Sequence, residues 1–365
     1  MAFLAQAGFQ TIFLRDWIRG KIQTDRKTLA ITFDDGFLDN WVYAYPILKK
    51  YGLKATIFIP TVRALDSLPR RLTLDDVWAG RCNKESLPSI DPDWEVNRRC
   101  VLREEGSPDF LTWQEMQEME ASGVIDIQSH SHYHRDFFVS NQIVDFNQNK
   151  YFGVGWATDG DTRYGIPIYP RKSAMMARRY FDDPGLRDFM AEKVGGATYF
   201  INRSKREYMR ELSGLVREYR SKHGHNGHFE TEDEQRARIF EELVLSKRII
   251  EEKLEKRCDL ICWPWGEYSR LSIELARKAG YCGAVAFTPG INLQGTESGI
   301  WHIKRFPPPR NLEDFAHAIS GYSSPVRSQL LRWKTITRST VEKVNRRKMD
   351  GQLTAAIKRK LGLSG

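Results

Sequence analysis

Along the first part of the chain, compact apolar blocks alternate with segments whose apolar positions recur every three or four residues. The first block, TLAITF at residues 28–33, has the composition of a buried strand and stops abruptly at Asp34-Asp35-Gly36. Leu38, Trp41, Val42, Tyr45 and Leu48 follow at helical spacing over residues 38–50, and ATIFIP at 55–60 is a second strand of the same type. This strand, turn, helix, strand order predicts a parallel βαβ unit with the two carboxylates where its first strand ends. Ahead of it, residues 1–18 read as a short helix ending at Gly8, then a strand with Phe9, Ile12 and Leu14 as its apolar members.

The rhythm resumes after residues 62–110, which carry Pro69, Pro88, Pro92 and Pro108 and read as irregular. Thr112 is placed to cap a helix at 113–120, with Glu115 completing a capping box and Gly123 stopping it. VIDIQ at 124–128 is a strand leading into Ser129-His130-Ser131-His132-Tyr133-His134. Residues 232–256 form a long charged helix with Ile239, Leu243, Ile249, Ile250 and Leu254 on its apolar side. A strand at 260–263, a helix at 273–278 and strands at 284–287 and 300–303 complete the pattern. Residues 137 to about 230 interrupt it and read as an insertion over the mouth of the site. The fold class is therefore α/β, an α/β barrel or a doubly wound sheet with its chemistry at the carboxyl ends of strands.

Composition excludes a disordered or low-complexity chain: 41% of the 365 residues are hydrophobic and 12% aromatic. No run of about 18 apolar residues that could span a bilayer is present, and the N-terminus lacks the pattern of a cleavable signal. The five cysteines, Cys82, Cys100, Cys258, Cys262 and Cys282, are scattered and odd in number, which suits free thiols in a reducing compartment. Charge is unevenly placed. Residues 326–365 hold eleven Lys/Arg and two Asp/Glu, which accounts for the whole net charge of +9. Within that tail Leu330, Trp333, Thr337, Val341 and Val344 fall on one helical face bordered by basic residues, the pattern of a helix that lies in a membrane interface or, alternatively, packs on the body. The expectation is a cytoplasmic protein, peripheral at the inner face of the membrane. Nucleic acid binding, resting on the tail alone, is disfavoured.

Two constellations carry candidate chemistry. Adjacent carboxylates at a strand end point in different directions, so one can bind a metal while its neighbour faces a bound water; Asp-Asp-Gly alone is more often a polar turn. His130 and His134, four apart, would share a face on one helical turn and could share a metal, with His132 projecting elsewhere. Together they supply a two-histidine, one-carboxylate set with an open position for water. His223, His225 and His228 lie in a glycine-rich, polar stretch that reads as a loop.

The segments LAITFDDGFLDNWVYAYPILKKYGLKATIFIPT, FLTWQEMQEMEASGVIDIQSHSHYH and LSKRIIEEKLEKRCDLICWPWGEYS, followed by LARKAGYCGAVAFT, resemble the polysaccharide deacetylases of the NodB-homology type, carbohydrate esterase family four. The resemblance implies a distorted (β/α)7-type barrel over residues 1–320, with insertions at about 62–110 and 137–230 and a basic helical tail at 321–365. It implies a metal-dependent hydrolase that removes N-acetyl groups from a polysaccharide, oligosaccharide or lipid-linked glycan. Asp34 matches the family's base, and Asp35, His130 and His134 match the ligands of a divalent ion, zinc by preference. Trp263, Pro264, Trp265 and Gly266 form the substrate loop, whose backbone N–H would hold the oxyanion. Two departures stand out. Cys262 occupies the place of an arginine that orients the base in many members, and Ile300-Trp301-His302 only approximates the motif whose histidine protonates the leaving amine, which makes His302 the candidate acid. A deformylase or amidase acting on another N-acylated sugar, or an inactive glycan-binding scaffold, remain the alternatives.

Overall fold

The computed structural model describes residues 1–22, 27–91, 105–148, 154–292, 297–309 and 311–322, together with 93, 96, 100, 102 and 103. The tail helix expected beyond residue 322, and with it the membrane contact, lies outside the described residues. Helix α1 (Ala2–Gln6) leads to strand β1 (Gln10–Thr11) and helix α2 (Leu14–Ile18). Strands β2 (Thr28–Leu29) and β3 (Ile31–Phe33) follow, then helix α3 (Tyr45–Lys50), strand β4 (Ala55–Ile59), helices α4 (Leu74–Trp78) and α5 (Trp113–Ala121), and strand β5 (Ile125–Ser129). After the insertion come β12 (Leu260–Cys262) and β13 (Gly283–Val285).

Five of these strands form one parallel sheet in the order β13, β12, β5, β4, β3. Both edges extend further. Ile303 bridges Val285 in parallel on one side, and on the other β2, separated from β3 only by Ala30, pairs in parallel with β1. Side chains alternate between two environments, as a strand's period of two requires. Ile57, Ile59, Ile125, Ile127 and Ile261 pack outward against Tyr45, Leu48, Met116, Ile239, Leu243 and Leu275 of the covering helices. Phe58, Leu260, Cys262, Val285 and Ile303 point inward and meet Ile12, Leu14 and Trp17 from the opposite edge. The sheet therefore curls until its two edges share an interior, the barrel-like arrangement expected from the sequence. Asp126, fully buried at the lower end of that interior, is bonded by Arg15 at 2.6 Å, which fixes α2 across the opening.

The insertion carries its own elements and its own core. Antiparallel pairs join β6 (Asp136–Phe138) to β9 (Arg171–Ser173), β7 (Asp145–Phe146) to β8 (Pro167–Ile168), and β10 (Tyr180–Phe181) to β11 (His228–Phe229). Beside them lie helices α6 (Val154–Ala157), α7 (Pro184–Val194) and α8 (Lys205–His223). Phe146, Leu186, Met190, Tyr208, Leu212 and Val216 form a separate apolar cluster there. The insertion is tied to the barrel through Glu267, which accepts from Ser173 N–H at 2.7 Å and from Lys172 Nζ at 2.9 Å. Helices α9 (Glu232–Leu254) and α10 (Arg270–Lys278) then return the chain to the outer layer, and α11 (Glu297–Ile300) and α12 (Leu312–Tyr322) end the described part.

Four local expectations need correction. The first strand is short, because the chain turns into α2 at Leu14. The segment at 40–44 is a π-helical turn, a form frequent near functional sites, before α3 begins. Residues 62–110 contain α4, nucleated by a capping box between Thr73 and Asp76 that the neighbouring prolines obscured. The last strand candidate, 300–303, begins on the final residue of α11 and continues as a turn, and only Ile303 pairs with the sheet. Among the described residues no helix is long and apolar enough to cross a membrane, and none of the five cysteines forms a disulfide.

Candidate functional site

β3 delivers Asp34 and Asp35 to the rim of the barrel, and the backbone separates their directions. Asp35 and Gly36 both take left-handed conformations, with φ of 69° and 67°. A side chain at 36 would meet Ile59 Cγ2 at 2.7 Å, so only glycine fits against β4 here. Asp34 keeps the inward direction of Thr32, whereas Asp35 is turned toward the loop that follows β5.

That loop is not helical. Ser131 and His134 sit at φ of 68° and 52°, and serine hydroxyls hold the turns: Ser129 Oγ accepts from Ser131 N–H at 3.2 Å and Ser131 Oγ from His134 N–H at 3.1 Å. The two imidazoles converge all the same, with ring centroids 4.8 Å apart. The expected meeting of His130 and His134 is thus achieved by two left-handed residues and not by a helical turn. His132 points away and pairs with Thr61 Oγ1 at 2.6 Å.

Asp35, His130 and His134 form a set whose ligand atoms all lie within 4.8 Å of one another. Asp35 Oδ1 is 3.4 Å from His134 Nε2. His130 Nδ1 is bonded to the carbonyl of Cys262 at 2.7 Å, which orients the ring and leaves its other nitrogen for a ligand. His134 Nδ1 is buried without a hydrogen-bond partner. Burial pushes the His134 pKa down to about 3, so its imidazole is neutral at ordinary pH and its lone pairs are available. Burial also raises Asp35, but the imidazoles and the Arg63 guanidinium, 3.2 Å from Oδ1, outweigh it and hold the carboxyl below its ordinary value. The neutral His134 imidazole, the second nitrogen of the His130 ring and one ionised carboxylate fit a divalent ion with an open coordination position.

Asp34 stands next to this set and is held differently. Arg305 Nη1 bonds Asp34 Oδ1 at 2.7 Å and Nη2 bonds Oδ2 at 2.8 Å. The same guanidinium reaches Thr32 Oγ1 at 3.2 Å and Cys262 Sγ at 3.2 Å. Burial raises the Asp34 pKa, yet the Arg305 hydrogen bonds and the neighbouring positive charge more than offset this, and the net shift is downward. An arginine therefore reaches Asp34 from residue 305, although Cys262 stands where the resemblance implies one. Sequence reasoning missed it because Arg305 and Asp34 are 271 residues apart. The signal that existed was a basic residue two positions beyond Ile303, the residue that bridges the sheet.

The loop after β12 divides its tryptophans. Trp263 is fully buried and stacks on Tyr268 at 5.9 Å. Trp265 is 45% exposed and lies over His134 at 4.3 Å, with φ of 56°. Pro264 is buried, and Gly266 follows at φ of 70°. Trp263, Gly266 and Glu267 spend their amides on Val285, Trp263 and Pro264 carbonyls, whereas among the described residues the Trp265 N–H has no backbone acceptor. His302 is tied to the loop after β12: its Nδ1 pairs with Tyr268 Oη at 2.9 Å. His225 and His228 lie in the insertion, near Tyr180 and Phe181.

Comparison with known proteins adds the following. Residues 21–150 match the family model described as polysaccharide deacetylase, a range that contains Asp34, Asp35, His130 and His134. The polysaccharide deacetylase candidate YxkH of Bacillus subtilis (strain 168) is 44% identical over 62 residues, 16% of this chain and 22% of that protein. The poly-beta-1,6-N-acetyl-D-glucosamine N-deacetylase of Escherichia coli (strain K12) is 21% identical over 283 residues, 77% of this chain and 28% of that protein. The chain thus spans less than a third of the length of these curated relatives. Among solved structures, the BpsB deacetylase domain from Bordetella bronchiseptica is similar at a TM-score of 0.49 and 18% identity, covering 83% of this chain and 81% of that one.

Proposed function

We propose, on the match of residues 21–150 to the polysaccharide deacetylase family model, that this chain hydrolyses the N-acetyl amide of an N-acetylated glycan. The observation that carries the proposal is the adjacency of two differently held carboxylates: Asp35 in a set fit for a metal, and Asp34 outside it, gripped by Arg305. An ion held by Asp35, His130 and His134 supplies Lewis-acid polarisation of the acyl carbonyl and a water of lowered pKa. Two nitrogens and one oxygen favour zinc.

The chain's own residues do the rest. Asp34, kept ionised by Arg305, accepts the proton of the attacking water, and the fork of the guanidinium fixes which way the carboxylate faces. The Trp265 N–H, which has no backbone acceptor among the described residues, is the donor for the oxyanion that develops on the acyl oxygen. Collapse of the tetrahedral adduct breaks the C–N bond, releasing acetate and an amine that takes up the proton. Trp265 over His134 walls the site on one side. The N-acetylglucosamine polymer in the name of the Escherichia coli relative is the substrate class to try first.

The test is acetate release from N-acetylglucosamine oligomers and lipid-linked sugars, with metal content measured in parallel for the wild type, Asp34→Asn and His130→Ala. Asp34→Asn should lose hydrolysis and keep its metal, whereas His130→Ala should lose both. Formate release from N-formyl analogues in place of acetate would favour a deformylase. Glycan binding without hydrolysis in a metal-loaded wild type would favour a scaffold.

A further inference from the structure

Helix α8 of the insertion sorts its charges by face. Tyr208, Leu212, Val216 and Tyr219 form its buried side. Arg206, Arg210, Arg217 and Arg220 recur at helical spacing and fall in one row, about 21 Å long at the rise of an α-helix. Glu207, Glu211 and Glu218 each follow one of these arginines and form a second row, turned about 100° around the axis. The acidic row is engaged: Glu207 accepts from Ser204 Oγ at 2.7 Å, Glu211 from Tyr199 Oη at 2.8 Å and Arg203 Nε at 3.1 Å, and Glu218 from Lys222 Nζ at 2.8 Å. The basic row is not, since among the described residues none of its four arginines has an ion-pair partner. Compensation of the helix dipole accounts for cations in the last turn but disfavours them in the first, where Arg206 stands.

The row ends in a pocket of about 400 Å³ lined by Arg217, Arg220 and Ser213 of α8, by His225 beyond it, and by Asn141 and Gln142 from the loop between β6 and β7. Arg220 is half-buried and adjoins Tyr169 and Tyr180; burial raises the pKa of both phenols and the guanidinium opposes it. Tyr169 Oη is buried without a hydrogen-bond partner, and Tyr180 Oη meets His225 Nε2 at 3.5 Å. The carboxylates that act on the same phenols are held elsewhere. Asp182 lies 3.3 Å from Arg187 Nε, and Asp183 Oδ1 accepts from the Gly185 and Leu186 amides at 2.9 and 3.3 Å.

We propose that this pocket binds a phosphate group, and that Arg210 and Arg206 take the further charges of a longer phosphorylated ligand. Two guanidiniums, an imidazole, a hydroxyl and two amides offer more donors than the two oxygens of a carboxylate can accept, whereas a phosphate brings three or more oxygens and up to two charges. Guanidinium forks match phosphate oxygens in pairs. The pocket shares no residue with the Asp34 centre, so the inference stands whether or not the chain is a deacetylase.

The test is calorimetric titration of the full chain with inorganic phosphate, glycerol 3-phosphate and tripolyphosphate. Arg217→Ala and Arg220→Ala should each weaken all three by about tenfold or more, the scale of a lost charge-assisted hydrogen bond, and Arg217→Lys should recover little. Tripolyphosphate should bind more tightly than phosphate, and Arg210→Ala should remove that advantage. Tighter binding of glycerol 3-phosphate assigns the pocket to a phosphate ester and tighter binding of inorganic phosphate to the free ion; either supports it. His130→Ala should leave the affinities unchanged. Binding lost in His130→Ala but kept in Arg217→Ala would put the anion at the metal set and overturn the pocket. So would unchanged affinity in folded Arg217→Ala and Arg220→Ala proteins, or no binding to wild type.

Discussion

Arg305 and Asp34, 271 residues apart, meet in a two-point ion pair of 2.7 and 2.8 Å at the mouth of the barrel. The pair links the end of β3 to the segment just beyond the Ile303 bridge, and the same guanidinium also touches Thr32 and Cys262. A carboxylate held this way has its direction and its ionisation fixed together. Changing Arg305 separates these effects.

Arg305→Ala should lower kcat/KM by about a hundredfold, the scale expected when a catalytic group is misplaced by around 1 Å. Arg305→Lys should recover little of it, since a single ammonium cannot reproduce the fork. The pH profile gives an independent reading. Asp34 must be ionised to act as base, and Arg305 opposes the upward push of burial on it. Without the guanidinium that push is relieved of its main counterweight, the Asp34 pKa rises, and the acid limb of kcat/KM moves to higher pH. An acid limb that stays in place would mean that Asp34 is not the group being titrated.

Metal removal is the second prediction. Dialysis against a chelator should abolish acetate release and lower the melting temperature, because an ion that binds only the folded state stabilises it by mass action. His134→Ala should hold less than one equivalent of zinc by elemental analysis under conditions that saturate wild type. Full occupancy in that variant would remove His134 from the ligand set.

How much of this was legible in the sequence depends on how far each partner lies along the chain. Asp34-Asp35-Gly36 could be read because the strand before it, the glycine requirement and the carboxylates are all local. His130 and His134 could be paired by spacing, although the reason given, a helical turn, was replaced by left-handed backbone at Ser131 and His134 that spacing does not encode. Arg305 could not be read at all as a partner of Asp34, since only the curl of the sheet brings Ile303 and β3 to a common interior. The same holds for Trp263 and Trp265. Identical in composition and two residues apart, they part company because the positive φ at Trp265 turns one out while the other stays in the core.

His302 is the third case. A general acid contributes about 10²–10⁴-fold to a rate, so His302→Ala would fall at least a hundredfold in kcat if it protonated the leaving amine. Its contact with Tyr268 Oη, with Arg305 and not His302 bonded to Asp34, predicts a loss of less than about tenfold, within what small geometric disturbance produces. Tyr268→Phe should reproduce whatever His302→Ala does, because each would break the same hydrogen bond. A hundredfold loss in His302→Ala with a nearly normal Tyr268→Phe would restore the histidine to the catalytic set.

A last prediction concerns the insertion and does not involve the reaction. Asp182 is buried, its Oδ2 lacks a hydrogen bond, and Arg187 Nε lies 3.3 Å away. Burial raises its pKa from 3.8 to about 6, against the partial pull of Arg187. The sign follows from proton counting. Between these two values the unfolded chain has released the Asp182 proton while the folded chain still holds it, so folding stability from this group falls as pH rises through the window and is level above it. Two pKa units correspond to an upper figure of roughly 3 kcal/mol. Asp182→Asn removes the ionisation, so relative to wild type it should gain stability progressively from about pH 4 to pH 6 and keep that gain at neutral pH. Urea denaturation of both proteins across this range checks it, and a difference that stays constant with pH would show that Asp182 is already ionised in the folded state at the acid end.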